Sequence, residues 1–236
     1  MHEHYLIPSD SATYQWGIIG TLVYIATVIF LGLFFKQRNQ LSKFELVLFW
    51  IYFIREILYF TYIIIEGKFT VQDSLPLHMC TISYIICLLI LYTRKHWMYE
   101  FLALLALGGG IQSILTPELT HGYSPYLIID YYWSHSTIIL FPFYILFVWK
   151  WIPRKWSFAW IWLIGHLILG IVGLVNYFLH SNYIYLCHAP KVDNALVAAF
   201  PNHLLSFEFF GTIHILFFWM IFRIGGKYLF KSDAIG

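Results

Sequence analysis

Seven stretches of mostly apolar residues follow one another along the chain, separated only by short polar interruptions. They run from Trp16 to Phe35, Phe44 to Ile65, Leu75 to Thr93, Met98 to Pro117, Tyr126 to Trp149, Trp156 to Leu179 and His203 to Phe222. A hydrocarbon core about 30 Å thick takes roughly 20 residues of helix to cross, and each stretch is of that order. The runs are apolar on most faces and do not alternate in short segments, which predicts helices rather than barrel strands. The chain therefore reads as all-α: one integral membrane domain over residues 1–236 with seven transmembrane helices.

Composition turns the pattern into a statement about solvent. Hydrophobic residues make up 60% of the chain and charged residues 11%, against roughly 25% charged in soluble domains, so the bilayer is the expected solvent. The formal net charge is only +2 and no basic patch forms, which excludes nucleic acid as a partner. Met1-His2-Glu3-His4 lacks the basic start, short apolar core and cleavage site of a signal peptide, so the first apolar stretch is expected to stay as a span.

The charges also orient the spans. One set of connections, with the C-terminal tail, carries eleven basic residues: Lys36, Arg38, Lys43, Arg94, Lys95, Lys150, Arg154, Lys155, Arg223, Lys227 and Lys231. The opposite set carries Lys68 and Lys191 together with Glu3, Asp10, Glu66, Asp73, Glu118 and Asp193. Basic loops stay cytoplasmic, so the N-terminus is expected outside and the tail inside, in the cell membrane. Losing or adding one helix would put basic loops on both faces.

With direction assigned, each polar residue acquires a depth at about 1.5 Å per residue. His78 and Cys80 fall in the outer turns of the third span, Gln112 and Thr116 at the outer end of the fourth, and Asp130, Ser134 and His135 where the fifth enters. Asn176 leaves the sixth, Asn182 follows it, and His203, Ser206 and Glu208 enter the seventh. Span two brings Tyr52, Arg55, Glu56, Tyr59 and Tyr62 to the same side. A charge within the bilayer costs about 3 kcal/mol even on the lenient insertion scale, so Arg55, Glu56 and Glu208 are expected to face the bundle interior. An internal polar cavity toward the outer leaflet follows. An interhelical ion pair needing no substrate fits Arg55 and Glu56 as well. Gly108 to Gly110, Gly170 and Gly173 are expected at close helix contacts, and Trp149, Trp151, Trp156 and Trp160 in an inner interfacial belt.

Within that layer Cys80 is the candidate nucleophile. A thiol needs a base or a helix N-terminus to form thiolate, and Cys80 lies near the positive end of its helix, although apolar burial works against the charge. His78 points to another side of the same helix. His135, on a different span, is the better-placed base, with Glu208 or Asp130 to orient it. Cys80 also fits a buried small hydrophobe or a disulfide to Cys187, which would remove the nucleophile. No metal site is expected, because no two span histidines stand four apart and HExxH is absent.

Leu75-Pro76-Leu77-His78-Met79-Cys80, Leu115-Thr116-Pro117, Ser134-His135, Asn176 with Ser181-Asn182-Tyr183, and Cys187 through Pro190 together resemble the YwaF-like family of small bacterial membrane proteins. That family is similar to a eukaryotic group of cysteine-centred ether-phospholipid acyltransferases. The resemblance implies Cys80 as acyl acceptor and His135 as its base. The expected function is then a lipid-modifying acyltransferase with phospholipid and lysophospholipid as partners and no cofactor, since thioester exchange conserves the acyl bond energy. Gln112, Thr116 or Asn176 would donate to the oxyanion and Arg55 would hold the lipid phosphate. The alternative is a small-solute transporter or ligand-binding membrane protein, for which a buried charge cluster is also a signature.

Overall fold

The computed structural model describes residues 4–191 and 196–231; Glu3 and Asp193, counted above with the outer loops, lie outside them. Among the described residues, six helices are long and apolar enough to cross a membrane: α1 (Ala12–Gln37), α2 (Leu41–Ile65), α4 (His96–Leu115), α5 (Pro125–Trp149), α6 (Ser157–Leu179) and α7 (His203–Phe230). A shorter apolar helix, α3 (Met79–Thr93), lies between α2 and α4. A two-stranded antiparallel clip pairs β1 (Tyr5–Leu6) with β2 (Glu118–Leu119), tying the N-terminal segment over the loop that follows α4.

The arrangement inverts the order of a soluble protein. In α4 and α5 61% and 67% of the apolar window is buried, against 11% to 22% in α1, α2, α6 and α7. The two buried helices are also less hydropathic than any of the other four. Lipid is the solvent here, so the most apolar helices form the perimeter and the polar ones hide inside. Large apolar side chains such as Trp16, Ile65 and Phe178 accordingly point outward, each at least 70% exposed. The protein is a multi-pass membrane protein.

α1 closes on α5 through close packing and through hydroxyl pairs, Thr21 with Ser136 (2.8 Å) and Tyr24 with Thr137 (3.0 Å). A Cβ on Gly17 would stand 2.1 Å from the Tyr132 ring, so only glycine lets these backbones approach. Two carboxylates lie buried at the opposite end from β2. Glu45 accepts from Tyr144 Oη (3.0 Å), Trp149 Nε1 (2.5 Å) and Arg94. Glu100 takes Arg154 through Nε (2.9 Å), Nη2 (2.6 Å) and the backbone N–H (2.8 Å).

Several expectations change. α3 starts at Met79, not Leu75, because Thr70 to Ser74 form a turn closed by Ser74 N–H to Thr70 O (2.9 Å) and by Thr70 N–H to Ser74 Oγ (3.0 Å), and Pro76 follows before the helix. Trp149 and Trp151 pack on each other and, half-buried, against the core, with Arg94 3.9 Å over the Trp149 ring, whereas Trp156 and Trp160 are exposed at 61% and 62%. Gly170 meets nothing within 4 Å and is no helix contact.

Candidate functional site

A cavity of about 850 Å³ opens among α2, α3, α4, α5, α6 and α7. Nine of the eleven candidate residues line it: Arg55, Glu56, His78, Cys80, Gln112, Thr116, Asp130, His135 and Glu208. Asn176 and Asn182 do not. Asn176 is buried and holds the following turn, accepting from Ser181 Oγ (2.8 Å) and Tyr183 N–H (2.9 Å) and donating to Tyr183 O (2.9 Å). Asn182 accepts the N–H groups of Cys187 and His188 (2.9 and 3.0 Å).

Cys80 is the second residue of α3, one position after the first helical residue. The first helical hydrogen bond runs from Ile82 N–H to His78 O (3.0 Å), and the His78 side chain caps no amide of that turn. The N–H groups of Met79, Cys80 and Thr81 are therefore left without helical acceptors. Cys80 Sγ is 3.7 Å from Ser113 Oγ on α4. Ser113 commits its single proton to Gly109 O (2.8 Å), so the serine oxygen accepts and the S–H donates. The three cysteines are free.

His135 is set by its own helix. Its Nδ1 lies 2.7 Å from the Tyr131 carbonyl, which can only accept, so Nδ1 carries the proton and Nε2 keeps a lone pair. This orienting role was expected of Glu208 or Asp130, and both are engaged elsewhere. Asp130 receives Arg55 Nε (2.6 Å) and Nη2, while Arg55 Nη1 meets Glu56 (2.7 Å). The guanidinium also lies 4.8 and 5.1 Å over the rings of Tyr84 and Tyr59. Three of its five N–H donors are thus taken by two carboxylates. Gln112 Nε2 donates to Thr116 Oγ1 (3.0 Å), which donates its single proton to the Gln112 backbone carbonyl (3.1 Å); the second Gln112 amide N–H is left over among the described residues.

Glu208 pairs with a histidine that the sequence reading passed over. His166 Nε2 is 2.9 Å from Glu208 Oε2, and His166 Nδ1 is 2.8 Å from Trp162 O. Since Nδ1 donates to the carbonyl, the Nε2 contact with the carboxylate holds a further proton. Trp162 Nε1 meets Thr212 Oγ1 at 3.1 Å, giving α6 and α7 an antiparallel register of 166 to 208 and 162 to 212. Extended at 1.5 Å per residue, this register starts α7 about 12 Å below the C-terminal end of α6. From the described parts of the connection between them, Ile184, Tyr185, Leu186 and Leu196 line the cavity wall.

His214 was also missed. Its Nε2 accepts the Gly108 N–H (3.1 Å) just beyond the π turn Leu102–Ala106 of α4, and its ring rests where a Gly108 Cβ would be, 2.0 Å from Cε1. A lone histidine in an apolar span was the available signal for both His166 and His214. His78 does not act toward Cys80: its Nδ1 accepts the Ile184 N–H (3.4 Å) and its ring stands 5.0 and 5.9 Å from those of Tyr183 and Tyr185. In the loop above, burial pushes the phenols of Tyr183 and Tyr185 up from their ordinary range.

No curated protein and no solved structure matches the chain. A family model does, over residues 10–221, which takes in every cavity-lining residue. The chain belongs to the TMEM164 family, a family of transmembrane proteins.

Proposed function

We propose that this protein is an acyltransferase of the cell membrane that carries a fatty acyl group on Cys80, taking it from a phospholipid and passing it to a lysophospholipid. The reading includes one membrane domain of seven spans, with α3 as the short one, the N-terminus outside and the tail in the cytoplasm. What carries it is one juxtaposition: a thiol at the uncapped start of α3 and an imidazole with an open Nε2 share a single cavity that is apolar over most of its wall.

His135 Nε2 takes the proton of Cys80 as sulfur attacks the ester carbonyl, directly or after small side-chain motion. The S–C bond forms, and the carbonyl π pair moves onto oxygen. In this reading the open N–H groups of Met79, Cys80 and Thr81 donate to that charge as it develops. Collapse expels the glycerol oxygen, which recovers the proton from His135, and leaves a thioester. The reverse sequence with a lysolipid hydroxyl completes transfer, and no cofactor enters the balance. The resemblance of the Leu75 to Cys80 stretch and of Ser134-His135 to the YwaF-like proteins, and through them to the acyltransferases, supports the same pair.

The test is to hold purified protein in phospholipid nanodiscs and measure intact mass and the Cys80 peptide. An acyl adduct on Cys80 that His135→Ala suppresses and a lysolipid acceptor discharges is the expected result. Absence of adduct, with Cys80→Ala as active as wild type in any lipid conversion found, refutes the assignment.

A further inference from the structure

The turn that shares the cavity wall with Cys80 contains two consecutive residues in the left-handed region, Ile184 at φ 58° and Tyr185 at φ 55°. Neither is glycine, and the branched Cβ of isoleucine is especially unsuited to that region. Such backbone persists only where its surroundings over-determine it. Here they do. Ile184 N–H is held by His78, Tyr185 N–H by Asn182 O (3.1 Å), and Tyr185 O by His203 Nε2 (2.9 Å). Just upstream, the Tyr183 hydroxyl donates to Val71 O (2.9 Å) and accepts the Leu75 N–H (2.9 Å). These contacts stop the turn from relaxing outward, and so they keep the Tyr185 side chain in the cavity wall.

Among the phenols that line the cavity with Cys80 are Tyr131, one turn before His135 on α5, and Tyr185. Tyr131 is spoken for: its hydroxyl donates to Ser113 O (2.9 Å) and accepts the Glu118 N–H (3.4 Å). The Tyr185 hydroxyl has no hydrogen-bond partner among the described residues, and the half-buried residue lines the cavity. A free donor that strained backbone holds in the same wall as a nucleophile points to a ligand atom as its acceptor.

We propose that Tyr185 is a catalytic residue whose hydroxyl donates a hydrogen bond to the carbonyl oxygen of the acyl group as Cys80 attacks it, across from the open amides of α3. The assignment rests on the acyl-transfer reading above. Tyr185 keeps its proton throughout; the thiol proton goes to His135 and the carbonyl π pair to the oxygen that Tyr185 holds. The bond strengthens as that oxygen becomes an anion, which is the property that accelerates the step.

The experiment compares two reagents on Cys80 in full-length protein in nanodiscs, each read as a mass shift. p-Nitrophenyl decanoate acylates sulfur through an oxyanion, whereas iodoacetamide alkylates it without one. Tyr185→Phe is expected to slow acylation about 100-fold while alkylation and the unfolding midpoint stay close to wild type. An unchanged acylation rate overturns the proposal, and so does equal slowing of both reagents, which would make Tyr185 a shaper of the cavity. If wild-type Cys80 takes no acyl group from the activated ester, the acyl-transfer reading falls and Tyr185 falls with it. If Tyr185→Phe slows the ester reaction but phospholipid yields no adduct, Tyr185 stands and only phospholipid as donor is refuted.

Discussion

Replacing Gly108 by alanine adds one methyl group in the middle of the wall that α4 presents to α7. That methyl would sit 2.0, 2.4 and 2.7 Å from Cε1, Nδ1 and Nε2 of His214, so the ring must leave and the 3.1 Å bond from the Gly108 N–H is lost with it. Overpacking of this kind costs about 1–3 kcal/mol, and the lost hydrogen bond about 1 kcal/mol more. Gly109 supplies the control, because a Cβ there meets nothing within 4 Å. Both substitutions gain the same helix propensity, about 1 kcal/mol over glycine, so the difference between them isolates the clash at about 2–4 kcal/mol. Reversible unfolding in mixed micelles should place Gly109→Ala at or above wild type and Gly108→Ala well below it. Adding His214→Ala to Gly108→Ala should recover the clash part, with a coupling of at least about 1 kcal/mol. Equal stability of the two alanine variants, or no coupling to His214, would refute this account of the α4–α7 contact.

The Arg55 to Asp130 bridge predicts a second result: Asp130→Ala leaves a buried guanidinium short of its main partner and should destabilise by about 3 kcal/mol, while Arg55→Met with Asp130→Leu should cost less than either single change. A double-mutant cycle by the same unfolding assay checks it. For Asn176, which makes three bonds to Ser181 and Tyr183, substitution by leucine should release the turn and raise amide hydrogen exchange at 181–185 at least about tenfold, leaving α3 and α5 protected.

The apolar runs were readable because lipid imposes length and polarity on whatever crosses it, and the depth of Cys80, His135, Arg55 and Glu208 followed by counting residues along each run. Depth was enough to bring them to one cavity. Rotation about each helix axis was not readable, and partner choice depends on it: Asp130 turned to Arg55, Glu208 to His166, and His135 took a carbonyl from its own helix one turn back. The π turn at Leu102–Ala106 shifts the phase of the residues beyond it, which is why Gly108 and Ser113 were not seen as the floor for His214 and the acceptor for Cys80. The role of the Ile184 and Tyr185 turn lay beyond reach for another reason: its left-handed backbone is imposed by tertiary contacts against local preference. The buried Glu45 and Glu100 were hidden by lying at helix ends, where sequence reads them as interfacial charge.

The inverted packing order has a consequence for how the protein is made. α4 and α5 carry Gln112, Ser113, Asp130 and His135, and they are the long helices that a bilayer accepts least willingly on their own. α1, α2 and α6 partition readily as each leaves the ribosome. α5 emerges with Asp130 unneutralised until it meets Arg55, which α2 has already carried into the membrane. The order of the chain puts Arg55 ahead of Asp130, so the ion pair that walls the cavity also offers the carboxylate a partner as α5 enters the membrane.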